Sequence, residues 1–293
     1  MPQHDTSNAS QTLQDYYNMR SDFFWQRIQN NREAQFGTDG AETIYGGDGQ
    51  DAMDGHVTNP ETDGGDVLIG GAGRDAYFLS DDKTRVVEEQ TGEVGDRVVT
   101  SVDYIASEHL NEAGTVSEVE IIEAFSETAD LVDMTAVDWW VGFEAFGDGG
   151  ITYLGGTGDD EVTTGGGNDT IITGEGIDFV WTGDGDDVVE LGAGDDEVRA
   201  GAGNDVITGG AGADTFTFHA ADGAQADVIT DWEAGVDACL IGDVNMNVWN
   251  VADTAEGALL TYAEGCTVLF QDRMASEISE SDFILYYDDA SQL

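Results

Sequence analysis

Apolar residues recur every nine positions along much of this chain, with glycines and aspartates at fixed offsets from them. Over residues 155–217 seven contiguous units read GGTGDDEVT, TGGGNDTII, TGEGIDFVW, TGDGDDVVE, LGAGDDEVR, AGAGNDVIT and GGAGADTFT. Upstream, GTDGAETIY (from Gly37) and GGDGQDAMD (from Gly46) share the frame. After a six-residue break over 55–60 come ETDGGDVLI (from Glu61) and GGAGRDAYF (from Gly70). Position eight of these eleven units carries Ile44, Met53, Leu68, Tyr77, Val162, Ile171, Val180, Val189, Val198, Ile207 and Phe216. With 40% apolar residues overall, chance would give such a run roughly a few times in 10⁵, so the frame is real. Position six is Asp in ten units and Glu42 in the first.

The pattern predicts a turn of six residues followed by a strand of three. Glycines at positions two and four allow a tight wrap, and the middle residue of the extended triplet points opposite to its neighbours. One unit cannot bury its own apolar side chain. Two units facing each other make an 18-residue coil, and coils stack about 4.8 Å apart. Turns of units n and n+2 then share an edge, each offering carbonyls and an Asp carboxylate. A flexible cage made only of oxygens suits Ca²⁺ better than the stricter octahedron of Mg²⁺.

Charge sharpens this reading. The 293 residues hold 9 Lys plus Arg against 61 Asp plus Glu, a formal net charge of −52. Such a surface repels nucleic acid and anionic membranes. Forty glycines with two prolines suit neither a collagen nor a linker, and 40% apolar residues exclude an ordinary acidic tail. Bound cations are the obvious way to neutralise the carboxylates. A metal-free solenoid would stack like charges along each edge.

With these residues in view, the sequence resembles the RTX family, whose GGxGxDxUx nonapeptides form calcium-loaded parallel β-rolls. The resemblance implies position-six ligands Asp51, Asp66, Asp75, Asp160, Asp169, Asp178, Asp187, Asp196, Asp205 and Asp214, with Asp39, Asp48, Asp63 and Asp184 at position three as further carboxylates. Pairing n with n+2 gives five sites in the long block and about two in the short one, about seven calcium ions in all. Glu42 and the 55–60 break put the short block's outermost sites in question.

The fold expected is all-β: a parallel β-roll (a right-handed β-solenoid) with an N-terminal capping helix and a small C-terminal β cap. Residues 1–36 form the amphipathic cap, 37–78 the first repeat block, 79–154 a non-repeat continuation, 155–217 the second block and 218–293 the C-terminal cap. Leu13, Tyr17, Arg20, Phe24 and Ile28 fall at helical spacing, predicting a helix over about residues 10–34 that either caps the roll or docks a partner. Within 79–154, RVVEEQ, DRVVTSVDYI and SEVEIIEAF read as short strands. These strands either extend the solenoid without metal or carry a partner site that includes Trp139, Trp140, Phe143 and Phe146. Phe179 and Trp181 at outward positions form an apolar spot that the helix or a partner would cover.

After the repeats, ADVITDWEAGVDACLIG resembles the segment that closes many RTX rolls, so Asp227, Asp231 and Asp237 either end the roll or add one more ion. GALLTY and CTVLF read as a hairpin, and the terminal SDFILYYDDASQL resembles a type I secretion signal. Cys239 and Cys266 either bond across neighbouring strands or stay as two buried thiols. The start MPQHDTSNAS has neither a basic nor an apolar stretch of a secretory leader, and no run of apolar residues suits a membrane helix. HExxH, GxSxG and GxxxxGK[ST] are absent, and four scattered histidines carry no evident chemistry. The expectation is a non-enzymatic, secreted calcium-binding protein that folds on binding Ca²⁺ and acts as a structural, adhesive or surface component. Its partners would be calcium and either itself or an extracellular surface, without nucleic acid or membrane insertion. An extracellular hydrolase or lyase with its site in 79–154 is the alternative.

Overall fold

Strands lie where the apolar triplets of the repeat predict them, because each position-eight side chain has a core to enter. All eleven are buried, from Ile44 to Phe216. The computed structural model describes residues 32–36, 41–54, 65–79, 83–87, 96–100, 103–106, 119–125, 129–242 and 248–286. These fall into two units, Met1–Ala136 and Val137–Leu293. Among the described residues no helix is long and apolar enough to cross a membrane.

The first unit contains β1 (Arg32–Phe36), β2 (Thr43–Asp48), β3 (Gln50–Asp54), β4 (Val67–Ala72), β5 (Ala76–Leu79), β6 (Arg85–Val87), β7 (Asp96–Thr100), β8 (Tyr104–Ile105), β9 (Val119–Phe125) and β10 (Leu131–Asp133). Odd strands β1-β3-β5-β7-β9 pair in parallel in that order, β2-β4-β6 form a second parallel set, and β8 pairs β10. Position eight sits on position eight: Ile44 opposes Leu68 and Met53 opposes Tyr77. Each pair is 24 residues apart, so the extra six residues leave the register intact. The same inward row continues through Val98 and Ile122, which places these parts of the 79–154 segment in the solenoid. There the buried Glu123 meets Arg97 at 3.0 Å.

The helix predicted over residues 10–34 does not reach its proposed end, because Arg32–Phe36 is strand β1, with Ala34 opposite Ala52 of β3. An open sheet edge presents unpaired N–H and C=O groups, and an extended segment satisfies them where a helix turn would not. The remainder of that predicted helix lies outside the described residues.

The second unit contains β11 (Val141–Phe146), β12 (Thr152–Leu154), β13 (Asp160–Thr163), β14 (Thr170–Glu175), β15 (Phe179–Trp181), β16 (Val188–Ala193), β17 (Glu197–Arg199), β18 (Val206–Ala211), β19 (Thr215–His219), β20 (Gln225–Ile229), β21 (Ala238–Gly242), β22 (Asn250–Asp253), β23 (Gly257–Ala263), β24 (Cys266–Gln271) and β25 (Phe283–Tyr286). One sheet runs β11-β13-β15-β17-β19-β21-β25, and the facing one runs β12-β14-β16-β18-β20-β24-β23-β22. Pairing is parallel except at β24-β23-β22. Ile171 opposes Val189 and Val162 opposes Val180, the 18-residue coil the repeat predicts.

Backbones approach closely at the turns. Gly212 has φ 142°, and a Cβ there would lie 1.6 Å from the Gly194 carbonyl oxygen. No side chain fits at that point of the stack.

GALLTY and CTVLF form the antiparallel hairpin β23–β24, while FILY of the tail is β25, parallel to β21. Trp232 is fully buried against Phe216 and Phe270, with ring centroids 5.9 and 5.0 Å away. Cys239 and Cys266 are free buried thiols in opposite sheets, and Cys266 Sγ–H donates to the Gly223 carbonyl at 3.1 Å. Phe143 enters the core, whereas Trp140 is exposed.

Candidate metal-binding turns

At position six the repeat places a short acid at the junction of turn and strand, and the structure turns all ten predicted aspartates inward. Asp51, Asp66, Asp75, Asp160, Asp169, Asp178, Asp187, Asp196, Asp205 and Asp214 are each at most 5% exposed. The two oxygens of each carboxylate in the long block have different tasks. One latches the stack: Oδ1 accepts the backbone N–H of the position-six residue one coil earlier. On one edge Asp178, Asp196 and Asp214 accept from Asp160, Asp178 and Asp196 at 2.7, 2.8 and 3.1 Å. On the other, Asp169, Asp187 and Asp205 accept from Ile151, Asp169 and Asp187 at 2.8, 2.8 and 2.9 Å.

The second oxygen is left over. Oδ2 of Asp169, Asp178, Asp187, Asp196 and Asp205 is buried with no hydrogen-bond partner. Hydroxyls of Thr164, Thr173 and Thr182 donate to the carbonyls of Thr182, Leu191 and Ala200, at 2.7, 2.7 and 2.6 Å, and lie close enough to Asp169, Asp178 and Asp187 to offset part of the effect of their burial. A buried carboxylate oxygen facing no donor is costly. Burial accordingly pushes Asp196 and Asp205 up to about 7 and Asp187 and Asp214 up to about 6. Neighbouring carboxylates add to the rise. Asp169 and Asp178 are raised for the same first reason, burial.

These atoms fit a hard cation held by oxygen. Among the described residues no three carboxylate, imidazole or thiolate side chains converge, so such an ion would take its remaining ligands from turn carbonyls. Asp48 and Asp184, by contrast, are exposed and stand apart from the buried row. Asp39 and Asp63 lie outside the described residues. Glu42 donates its N–H to Asp66 Oδ1 at 2.8 Å but is itself exposed, so the nonapeptide that starts at Gly37 lacks the buried carboxylate of the later ones.

Further residues keep the ladder's backbone role under other identities. Thr84 Oγ1 accepts from Asp66 N–H at 3.2 Å, and Asp96 from Asp75 at 2.6 Å. Asp227 and Asp237 accept from Asp205 and Asp214 at 3.1 and 3.2 Å, while Asp231 receives Gly209 and Gly210 N–H at 2.9 and 2.7 Å. Ile151 stands at position six of FGDGGITYL (residues 146–154), a twelfth unit, and Tyr153 at its position eight opposes Ile171. The Tyr153 hydroxyl donates to Asp160 Oδ2 at 3.0 Å, filling the place left bare in later coils. Burial still pushes Asp160 up to about 7, ahead of the lowering by that hydroxyl.

Position five forms a second, exposed ladder running the other way. Asp159, Asn168, Asp186, Asp195 and Asn204 accept N–H groups of Ile177, Asp186, Asn204, Ala213 and Ala226, one coil later, at 2.8, 3.1, 2.8, 2.8 and 3.1 Å.

A parallel solenoid with a row of buried, half-satisfied carboxylates from Asp169 to Asp205 defines a class of coil-stacked proteins whose turn edges suit cations. Within it, four copies of the RTX calcium-binding nonapeptide repeat match this chain, over residues 36–57, 62–80, 146–180 and 181–216, so the chain carries RTX calcium-binding repeats. The third match begins at Phe146, in the unit disguised by Ile151. Comparison of the sequence with curated proteins finds no match.

Proposed function

We propose that this chain is a secreted protein whose folding is driven by extracellular calcium, and that the folded roll serves as a structural or adhesive surface component. The observation that carries this reading is the row of buried Oδ2 atoms from Asp169 to Asp205 without partners. In a low-calcium cytosol those carboxylates and a net charge of −52 oppose compaction, leaving an extended chain suited to a type I export channel. Outside the cell, millimolar calcium exceeds the 10⁻⁴ to 10⁻³ M dissociation constants on the order of which extracellular modules bind. Binding free energy then becomes folding free energy.

The position-six aspartates would hold about seven ions, by the pairing of turns one coil apart. Adhesion is supported by Ile177, Phe179 and Trp181, alternate residues of one segment that stand about half exposed at 50, 51 and 48%. Arg199 lies over Trp181 at 4.9 Å, so this face accommodates a cation on an aromatic ring. Far-UV circular dichroism during calcium titration from EDTA, with magnesium as control, tests the folding step. A cooperative coil-to-β transition with calcium alone is expected, and full β-structure in EDTA would overturn it. Calcium-dependent self-association or surface retention, lost in Trp181→Ala, tests the adhesive role.

A further inference from the structure

Beyond the last repeat, strand β20 carries the solenoid into a stretch where the nonapeptide pattern has ended. Its register fixes which repeat position each residue occupies. Val228 opposes Val206 and Ile229 opposes Ile207, so Asp227 stands at position six and Gln225 at position four. The Asp227 Oδ1 bond to Asp205 N–H, and the Ala226 N–H bond to Asn204 Oδ1, confirm that alignment. In the repeats, position four is a glycine whose backbone bends through the turn. Gln225 is instead extended within β20, with its side chain inward on the same face as Asp227.

Three buried oxygens in this neighbourhood are left over. Asp205 Oδ2, Asp227 Oδ2 and Gln225 Oε1 are all buried and have no hydrogen-bond partner. The residues are 0, 1 and 2% exposed. The Asp205 and Asp227 carboxyl groups lie within hydrogen-bonding reach of each other, and the Gln225 amide lies within reach of the Asp227 carboxyl, where burial raises the pKa and the amide lowers it by less. Neighbouring acceptors shut away from water without donors are costly unless something positive lies among them. The amide is aimed by the C-terminal hairpin: Gln225 Nε2 donates to the Tyr262 hydroxyl on β23 at 2.6 Å, and Gln225 N–H donates to the Gly265 carbonyl at 3.0 Å.

We infer that Asp205, Asp227 and Gln225 form an additional calcium site, in which a glutamine amide oxygen replaces a turn carbonyl of the repeats. The inference rests on the calcium-folding reading and extends it beyond the matched repeats, which end at residue 216. The other edge at this same end of the roll differs. Asp237 Oδ2 already accepts Glu233 N–H at 2.6 Å, so the neighbouring edge is closed by protein alone. Tyr262 is a positioning residue, since it orients Gln225 without facing the ion. Because Gln225 is held by the β23–β24 hairpin, filling this site fastens the hairpin to the roll.

Native mass spectrometry of the full chain in calcium counts the ions. Gln225→Met is expected to bind one ion fewer than the unmodified chain, and Gln225→Glu to restore the count and tighten the weakest phase severalfold. Hydrogen exchange of residues 257–271 is expected to quicken at least tenfold in Gln225→Met while exchange of 188–211 stays unchanged. Equal ion counts in the unmodified chain and Gln225→Met would overturn the site but leave calcium folding intact. An unmodified chain that binds no calcium would instead overturn the underlying reading. Should Gln225→Met fail to fold, Asp227→Asn, which keeps the Oδ1 acceptor, serves in its place with the same expected loss of one ion.

Discussion

Each position-six aspartate is one side chain divided between two neighbours, and its substitutions should separate those tasks. Asp187→Asn keeps an oxygen for the Asp169 N–H, so the coil should still form in calcium, with a midpoint raised severalfold. Asp187→Ala also strands that buried N–H, which costs about 1–3 kcal/mol more; calcium titrations followed by circular dichroism compare the two. The pH response follows from the direction of the shifts. In the calcium-free fold, burial lifts Asp187 to about 6, Asp205 to about 7 and Asp227 to about 8, against about 3.9 in an unfolded chain. The fold therefore binds more protons than the coil, and its penalty is absent below about pH 4, grows between pH 4 and 8, and is complete above. Acidifying the chain in EDTA from pH 8 to 4.5 should raise its β content, while the calcium midpoint of the coil should stay nearly flat down to about pH 5, because coil and calcium-loaded roll are both ionised there. A β content in EDTA that does not change on acidification would contradict buried, uncompensated carboxylates.

At the scale of the element, periodicity carried the sequence reading as far as residue identity stayed constant. Positions six and eight were legible because burial demands the same chemistry in each coil. The unit at 146–154 was hidden because Ile151 replaces the acid while its N–H still joins the ladder. Thr84 and Gln225 were missed for the same reason, since a backbone register can persist where the side chain changes, whereas Asp96 keeps the acid but stands 21 residues after Asp75, off the nine-residue frame. The outer ladder at position five was unreadable, because exposed Asp and Asn are ordinary turn residues. At the chain's start, helical spacing of apolar residues extended the prediction over Arg32–Phe36, where the open edge of β3 selected a strand. Glycines test the element directly. Gly212→Ala would drive a Cβ into the Gly194 carbonyl, whereas Gly223, also at positive φ (115°), meets nothing within 4 Å. Gly223→Ala should cost about 1 kcal/mol from backbone strain alone, and Gly212→Ala distinctly more. Thermal melts in saturating calcium measure both.

For the whole molecule, charge decides compactness. A chain of 293 residues at −52 should have a radius of gyration on the order of 60 Å in EDTA, as an unfolded chain of this length does, and should contract on adding calcium. Small-angle scattering would show it, and 0.5 M NaCl, which screens without filling the turns, should give only partial contraction. The two opposed ladders have a mechanical consequence. Inner carboxylates reach back one coil and outer ones reach forward, so a pull along the stack loads hydrogen bonds on both sides of every turn at once. Rupture should then proceed from an end, one coil at a time. Each 18-residue coil would release about 60 Å of chain, a regular sawtooth under an optical trap that calcium sharpens and EDTA abolishes. By this measure the roll is a ratchet of equal links, and calcium sets the force at which each link gives way.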